Sequence, residues 1–321
     1  MTTHETTDGD REAPPSTDDG EWRIILNPVS GSGDHAERVE SLAAERGYAV
    51  ERTEEPGDAV EFAERAGRKG AERVAACGGD GTIHNVVEGL GRADALDDVT
   101  FGVVPGGTGN DFATNVGIRD VEHAFELLES GDRRRIDLGV ADGELFTNSC
   151  IAGLTAQTSS ETSSDMKERF GTLAYVAAGF KTVREFEPLH VELEVERDVS
   201  AQSTTWTGEA LCILVGNARG FARGGGQANV EDGLFEVTVV NDMPTSKMLT
   251  EAAVQQFIGS DTENVTQLTG DELHVTGREG EDIEFSLDGE IREHRDLSMH
   301  VRSQALDVVV GEAYEPRPSD A

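Results

Sequence analysis

The chain has 321 residues, of which 63 are Asp or Glu and 27 are Lys or Arg, giving a formal net charge of −36. A surface of that sign repels phosphate backbones and excludes nucleic acid as a partner held by general electrostatics. The length suffices for two modest cores. The three cysteines, Cys77, Cys150 and Cys212, lie far apart in apolar runs, which speaks against a disulfide framework or a zinc site and for buried small side chains.

The acids recur in nearly every segment, as in Glu37, Glu40, Glu45, Glu51, Glu54 and Glu55, and the cations are almost all arginine. That pattern suits a protein kept soluble in concentrated salt, so a halophilic cytoplasm is the expected setting. Residues 1–20 are acidic and polar, with Pro14-Pro15, and lack the basic start and apolar stretch of a signal peptide. They are expected to be a disordered tail on a cytoplasmic protein.

From there the chain alternates short apolar runs with amphipathic stretches. Trp22-Arg23-Ile24-Ile25-Leu26 reads as a strand, and Asp34 as the cap of a helix carrying Val39, Leu42 and Ala43, which Gly47 ends. Tyr48-Ala49-Val50 reads as a second strand, and Asp58 as the cap of a helix with Val60, Phe62 and Ala63. The run Val74-Ala75-Ala76-Cys77 leads into Gly78-Gly79-Asp80-Gly81-Thr82, where Thr82 is placed to cap a helix through Leu90. Residues 99–104 form another apolar run, followed by Pro105-Gly106-Gly107-Thr108-Gly109-Asn110-Asp111, and Asp120 then caps a helix that Gly131 stops. Strands alternating with helices predict an α/β domain, residues 21–138, with a parallel sheet covered on both faces.

Both glycine strings follow strands, and ligands of such sheets collect at the carboxyl ends of the strands. A glycine turn that opens a helix brings bare N–H groups and the positive end of a helix dipole to one point, an arrangement suited to a polyphosphate. The chain has no G-x-x-x-x-G-K-[ST] loop, since Gly31-Ser32-Gly33 leads to no Lys-Ser/Thr pair, so the phosphate grip differs from that of P-loop enzymes.

Beyond residue 138 the rhythm changes to alternating runs at 146–150, 190–195, 210–215, 234–240, 273–276, 283–287 and 306–310, interrupted by helical patterns at 173–183 and 248–258. Residues 139–315 are therefore expected to form a second, β-rich domain of sandwich type, its last strand docking back on the first domain.

Taken together these pieces resemble the diacylglycerol kinase catalytic-domain family, which includes bacterial lipid kinases and sphingosine kinases. The likeness runs from about Arg23 to Arg292 and is carried by Asn27-Pro28-Val29-Ser30-Gly31, Thr53, the two glycine strings, Ile136-Asp137-Leu138-Gly139 and Phe146-Thr147-Asn148. Its later pieces are residues 175–180, Gly216-Asn217, Gly224-Gly225-Gly226, Glu231-Asp232-Gly233-Leu234 and Asp288-Gly289-Glu290. One difference is the short stretch from Gly226 to Asp232, which lacks the proline usual in such kinases.

The resemblance implies a two-domain lipid kinase and NAD kinase-like fold, ATP as phosphoryl donor, Mg²⁺, and a lipid hydroxyl as acceptor at a membrane surface. It assigns the nucleotide to Asn27, Ser30, Thr53, Gly78, Gly79, Gly81, Thr82, Gly107, Thr108 and Asn110. The metal falls to Asp80, Asp111, Asp137 and Asp232, oxygen ligands of the kind Mg²⁺ takes. Glu290 is the expected general base, because the acid after Asp-Gly is turned toward the acceptor in the resembling kinases, and Asp80 is expected to work beside it in catalysis. His84, one helical step beyond Thr82, is expected as a polar residue on a helix face rather than a phosphate ligand.

Two stretches run against the overall charge, residues 166–184 with Phe170, Tyr175 and Phe180, and residues 218–226 with Arg219, Phe221 and Arg223. They are candidates for a lip facing lipid headgroups, or for ordinary amphipathic packing. NAD kinases and phosphofructokinases share a GGDG-type turn and are the rival enzymes; a non-catalytic nucleotide- or lipid-binding regulator is the rival of another class. Self-association is left open.

Overall fold

A computed structural model describes residues 21–153, 188–197, 202–220, 227–241, 264–278 and 282–318. The expected tail at residues 1–20 and the helical patterns at 173–183 and 248–258 lie outside them.

The first unit is built as strand-helix repeats: β1 (Arg23–Leu26), α1 (His35–Arg46), β2 (Ala49–Arg52), α2 (Asp58–Arg68), β3 (Arg73–Gly78), α3 (Asp80–Arg92), β4 (Thr100–Pro105), α4 (Asp111–Asn115) and α5 (Val121–Ser130). β1 pairs in parallel with both β2 and β3, and β3 pairs in parallel with β4, giving the order β2-β1-β3-β4. Ile24, Ile25, Leu26, Val74, Ala75, Ala76 and Phe101 are fully buried, as continuous apolar runs covered on both faces must be. Burying each of the larger side chains contributes about 1.5–3 kcal/mol.

The helix ends divide into those with local chemistry and those without. Asp120 caps α5, accepting from His123 N at 2.8 Å, and Gly47 closes α1 with φ +73°. The other expected caps are corrected. Asp34 has helical backbone angles and makes no side-chain cap bond, and Asp58 turns back to accept from Glu54 N and Glu55 N. Thr82 is the third residue of α3, not its cap. The helix begins at Asp80 after extended Gly79, where an added Cβ would stand 3.1 Å from Gly107 Cα, and the Thr82 hydroxyl accepts from Asn27 Nδ2 at 3.1 Å instead.

The second unit is β-rich: β5 (Asp132–Ala141), β6 (Glu144–Phe146), β7 (Ser149–Gly153), β8 (Leu189–Arg197), β9 (Gln202–Gly216), β10 (Phe235–Asn241), β11 (Val265–Gly270), β12 (Glu272–Gly277), β13 (Ile283–Leu287), β14 (Glu290–His294) and β15 (Asp296–Val310). The run expected at 146–150 is two strands broken at Thr147-Asn148.

β15 joins the units. Its first half pairs with β12, while Asp307 and Val308 run parallel to Thr100 and Phe101 of β4, and β5 lies antiparallel along most of its length. The hydrogen-bonded path β14-β13-β7-β9-β8-β12-β15-β4-β3-β1-β2 therefore crosses from one unit to the other without a gap. One core lies around Trp22, Phe101 and Phe125, and a second around Phe146, Phe235 and Phe285. All three cysteines are buried and free, and burial pushes their thiols up. No helix among the described residues is long and apolar enough to cross a membrane.

Candidate active site

Three turns leave the carboxyl ends of adjacent strands β1, β3 and β4 and pack on one another. Gly106 N donates to Gly78 O at 2.8 Å, and a methyl placed on Gly31, whose φ is +57°, would meet Gly106 O at 2.7 Å. A methyl on Gly107 would meet Gly79 Cα at 2.4 Å, so the second and third turns touch backbone to backbone. Asn110 locks the third turn by accepting from Gly107 N and donating to Gly107 O, at 3.1 and 3.0 Å.

The expected nucleotide residues are distributed over these turns. Asn27 reaches Thr82, and the Ser30 hydroxyl lies 3.0 Å from where a side chain on Gly78 would begin. Thr53 follows β2, its N–H donating to Leu26 O at the same end of the sheet. Nothing lies within 4 Å of the position a Gly81 side chain would take. An open cleft of about 500 Å³ borders the first and third turns, lined in part by Gly31, Ser32, His35, Arg38, Gly107 and Thr108.

Asp80 binds the second turn to the third. Its Oδ1 accepts from Phe112 N at 2.9 Å and from Asn148 Nδ2 at 3.2 Å, and its Oδ2 from Asp111 N at 3.1 Å. Burial pushes the Asp80 carboxyl up and the neighbouring Asp111 carboxylate adds to the rise, against the pull of the three donors. Asp111 is exposed and pairs with Arg219 at 3.2 Å. Arg219, a candidate for the lip, is 19% exposed and turned to this partner. The rest of that stretch, residues 221–226, and all of residues 166–184 lie outside the described residues.

The four expected metal carboxylates do not converge. Among the described residues no group of three or more His, Cys, Asp or Glu is placed to hold an ion. Asp80 and Asp111 form one pair beside the glycine turns. Asp137 and Asp232 interact elsewhere, with Asp137 buried in β5 and both of its oxygens taken: Oδ2 accepts from Gly233 N and Oδ1 from Gln304 N, each at 2.7 Å. Those two amides belong to residues with φ +71° and +48°, so Asp137 holds two left-handed backbone positions in place.

Glu290 opens β14 directly after a two-residue turn. Asp288 and Gly289 have φ +48° and +102°, the positive pair that a tight I′ hairpin between β13 and β14 requires, and Asp-Gly is a preferred sequence for it. The Glu290 side chain is 54% exposed, its charged neighbour Arg292 standing 4.0 Å away. The preceding Asp288 side chain is fully buried. Its Oδ2 accepts from Thr147 N and Thr147 Oγ1, and its Oδ1 from Asn148 N and Ser149 N, at 2.6 to 2.9 Å.

His84 completes that set, its Nδ1 lying 3.1 Å from Asp288 Oδ2. The expectation of a polar side chain on a helix face is corrected: His84 is 5% exposed and faces the second unit. Burial works against its charge, but the hydrogen bond to Asp288 and the charges of Asp288, Glu88 and Glu290 together raise its pKa. Burial likewise works against the Asp288 carboxylate, and its hydrogen bonds and the His84 charge overcome it, so Asp288 stays below the usual carboxylate range.

Sequence reasoning assigned no role in the site to His84, Asp288 or Asn148, and placed Arg219 at a lip rather than beside Asp111. The signal for Asp288 was the Asp-Gly pair directly after the run at 283–287, a preferred sequence for a tight hairpin turn. Nothing local announces that its carboxylate turns inward.

A family model described as the diacylglycerol kinase catalytic domain matches residues 21–141, and one described as the YegS C-terminal NAD kinase beta sandwich-like domain matches residues 148–310. The chain is 30% identical over 292 residues to the lipid kinase YegS of Escherichia coli strain K12, covering 88% of this chain and 93% of that one. It is 32% identical over 277 residues to a Pectobacterium atrosepticum protein named "Probable lipid kinase YegS-like", covering 83% and 88%. A solved diacylglycerol kinase structure from Bacillus anthracis str. Sterne has a TM-score of 0.66 at 19% identity, covering 92% and 98%. Another solved chain from that strain reaches 0.73 at 22% identity, covering 92% and 96%. These structures share the fold.

Proposed function

The chain belongs to the diacylglycerol kinase catalytic-domain family and is a lipid kinase-type enzyme, and from that premise we propose that it transfers the γ-phosphoryl group of ATP to the hydroxyl of a glycerolipid or long-chain alcohol. The observation that carries this reading is the packing of three glycine-bearing turns at the carboxyl ends of β1, β3 and β4. The turns supply backbone N–H groups and the N-terminus of α3 for the phosphates. Glu290 accepts the proton of the acceptor hydroxyl. That oxygen forms a bond to the γ-phosphorus as the bond to the β-bridging oxygen breaks, and ADP leaves.

Asp80 and Asp111 fit a Mg²⁺ ion, which takes one or two carboxylates together with substrate phosphates. A cation held by these carboxylates would also offset the mutual repulsion that helps raise the Asp80 pKa. Bound there, Mg²⁺ would neutralise charge on the phosphates. Asp80 and Asp137 each already accept two backbone N–H groups, so either would reach the ion through water; Asp80 is distinguished by standing at the glycine turn where α3 begins.

The acceptor lies at a membrane surface in this reading, and the protein visits that surface peripherally. Incubation with labelled ATP and, separately, lipid extract, NAD and a sugar phosphate tests it. Label entering the organic phase supports the lipid reading. Label on NAD alone would favour the small-molecule kinase that the NAD kinase-like description of the second unit brings to mind, and no transfer to any acceptor would favour a non-catalytic binding protein.

A further inference from the structure

Asp80 and His84 stand four residues apart on α3, the spacing that puts two side chains on one helix face. Each is a joint between the two units. Asp80 accepts from the side chain of Asn148, the N–H of Asn148 donates to Asp288, and Asp288 accepts from His84. One turn of helix, two carboxylates, an amide and an imidazole thus close a ring. The ring ties the glycine turn on one side to the Asp288-Gly289 hairpin on the other, and Glu290 is the next residue of that hairpin.

We propose that His84 is a positioning residue for phosphoryl transfer: by holding Asp288 against α3 it sets the hairpin that presents Glu290 at a fixed place relative to the glycine turns. The proposal rests on the kinase reading above.

Three features carry it. The contact is sheltered, with His84 5% and the Asp288 side chain 0% exposed, so water does not substitute for either partner. Asp288 is an acceptor only, so the ring nitrogen facing it is the donor, and the tautomer or charge state of His84 is dictated by that bond. The other donors to Asp288, Thr147 and Asn148 of the β6–β7 break and Ser149 at the start of β7, all belong to the second unit. Among the described residues, His84 is the donor that reaches Asp288 from the phosphate-facing unit, linking residues 204 positions apart in the chain. A purely structural pair would stabilise the protein and do nothing specific for Glu290.

The test is a series at residue 84 in the full chain. Asn places its amide nitrogen two bonds from Cβ, where imidazole Nδ1 stands, whereas Gln places it one bond further, nearer the position of Nε2. His84→Ala and His84→Gln are expected to lower kcat tenfold or more with KM for ATP held within about twofold, and His84→Asn to keep kcat within about threefold of wild type. Amide exchange at Thr147, Asn148, Ser149 and Gly289 is expected to accelerate at least tenfold in His84→Ala and to stay near wild type in His84→Asn. Equal kcat in all three variants, or kcat losses that only track the folded fraction, would overturn the proposal. If the wild-type chain phosphorylates no lipid supplied, the acceptor reading fails and exchange alone decides: protection lost in His84→Ala supports the positioning role, and protection retained removes it.

Discussion

Gly79 and Gly107, on turns 28 residues apart, pack so closely that no side chain fits between them: a methyl on Gly107 would stand 2.4 Å from Gly79 Cα and 2.9 Å from Gly109 O. Real Cβ atoms do not approach backbone so closely, and both neighbours are backbone that cannot swing aside. Gly107→Ala is therefore expected to separate the turns, lower the unfolding midpoint and weaken ATP binding together. Gly81→Ala is its control, because the space beside Gly81 is open. That variant is expected to keep the wild-type melt and to lose ATP affinity only, by crowding the phosphate side of the turn. Calorimetric titration with ATP alongside a thermal melt reads both, and an unchanged melt in Gly107→Ala would contradict the packing.

Glu290 separates chemistry from folding. Its side chain is half exposed and its nearest cation is 4.0 Å away, so Glu290→Gln is expected to change stability by no more than about 0.5 kcal/mol. As the general base it is expected to lower kcat by about 10² to 10⁴. Turnover with lipid at saturating ATP measures this, and activity equal to wild type would remove Glu290 from the mechanism.

Asp288 is the opposite case, since it accepts four bonds from the β6–β7 region and one from His84 while wholly buried. Asp288→Ala leaves an imidazole and three backbone N–H groups without their acceptor, an expected loss of about 3–5 kcal/mol in a denaturant titration. The Cys150 thiol, packed close enough to feel the Asp288 charge, would become less shielded from thiol reagents as the region loosens.

The same pair sets a pH window. Asp288 is depressed in the folded state, so its contribution is present above the usual carboxylate value of about 3.9 and is lost as pH falls through the lower folded value. His84 is raised, so its contribution is complete below the usual imidazole value of about 6.5 and is lost as pH rises through the higher folded value. Stability from this pair is expected to be greatest between those limits. Unfolding free energy measured against pH should show an alkaline decline that His84→Asn flattens, because an amide has no proton to lose.

The net charge of −36 gives a further expectation. Salt bridges such as Arg38–Glu122 and Arg52–Glu40 neutralise some of the acids on the first unit, yet most of the excess remains unpaired by count. Self-repulsion is screened when the Debye length falls to about 3 Å at 1 M salt. The thermal midpoint should rise between low and molar potassium chloride, and a flat response would set aside the halophilic reading.

Much of the fold was legible because its signals are local. The apolar runs ending at Leu26, Cys77 and Val104, the glycines after them and the cap at Asp120 are statements about neighbouring residues, and β1, β3, β4 and α5 follow them. β5 and β14 escaped notice because Asp132-Arg133-Arg134-Arg135 and Glu290-Ile291-Arg292-Glu293-His294 are too polar to read as strands. Both are held by pairing with partners distant in sequence. Thr82 escaped in another way: its position fits a cap, but the backbone turns two residues earlier and delivers its hydroxyl to Asn27.

Short-range backbone preference and residue order are enough to read an α/β unit followed by a β-rich one, with glycine turns at strand ends and the motif set of a lipid kinase. Which side chains meet depends on the long-range pairing of the strands. Asp137 holds Gly233 and Gln304 while Asp80 faces Asp111 and Asn148, and His84 finds its carboxylate 204 positions away in the chain, on the second unit. The partner of a buried polar group is whichever donor or acceptor the sheet topology carries to it, and that is a property of the whole path of the chain.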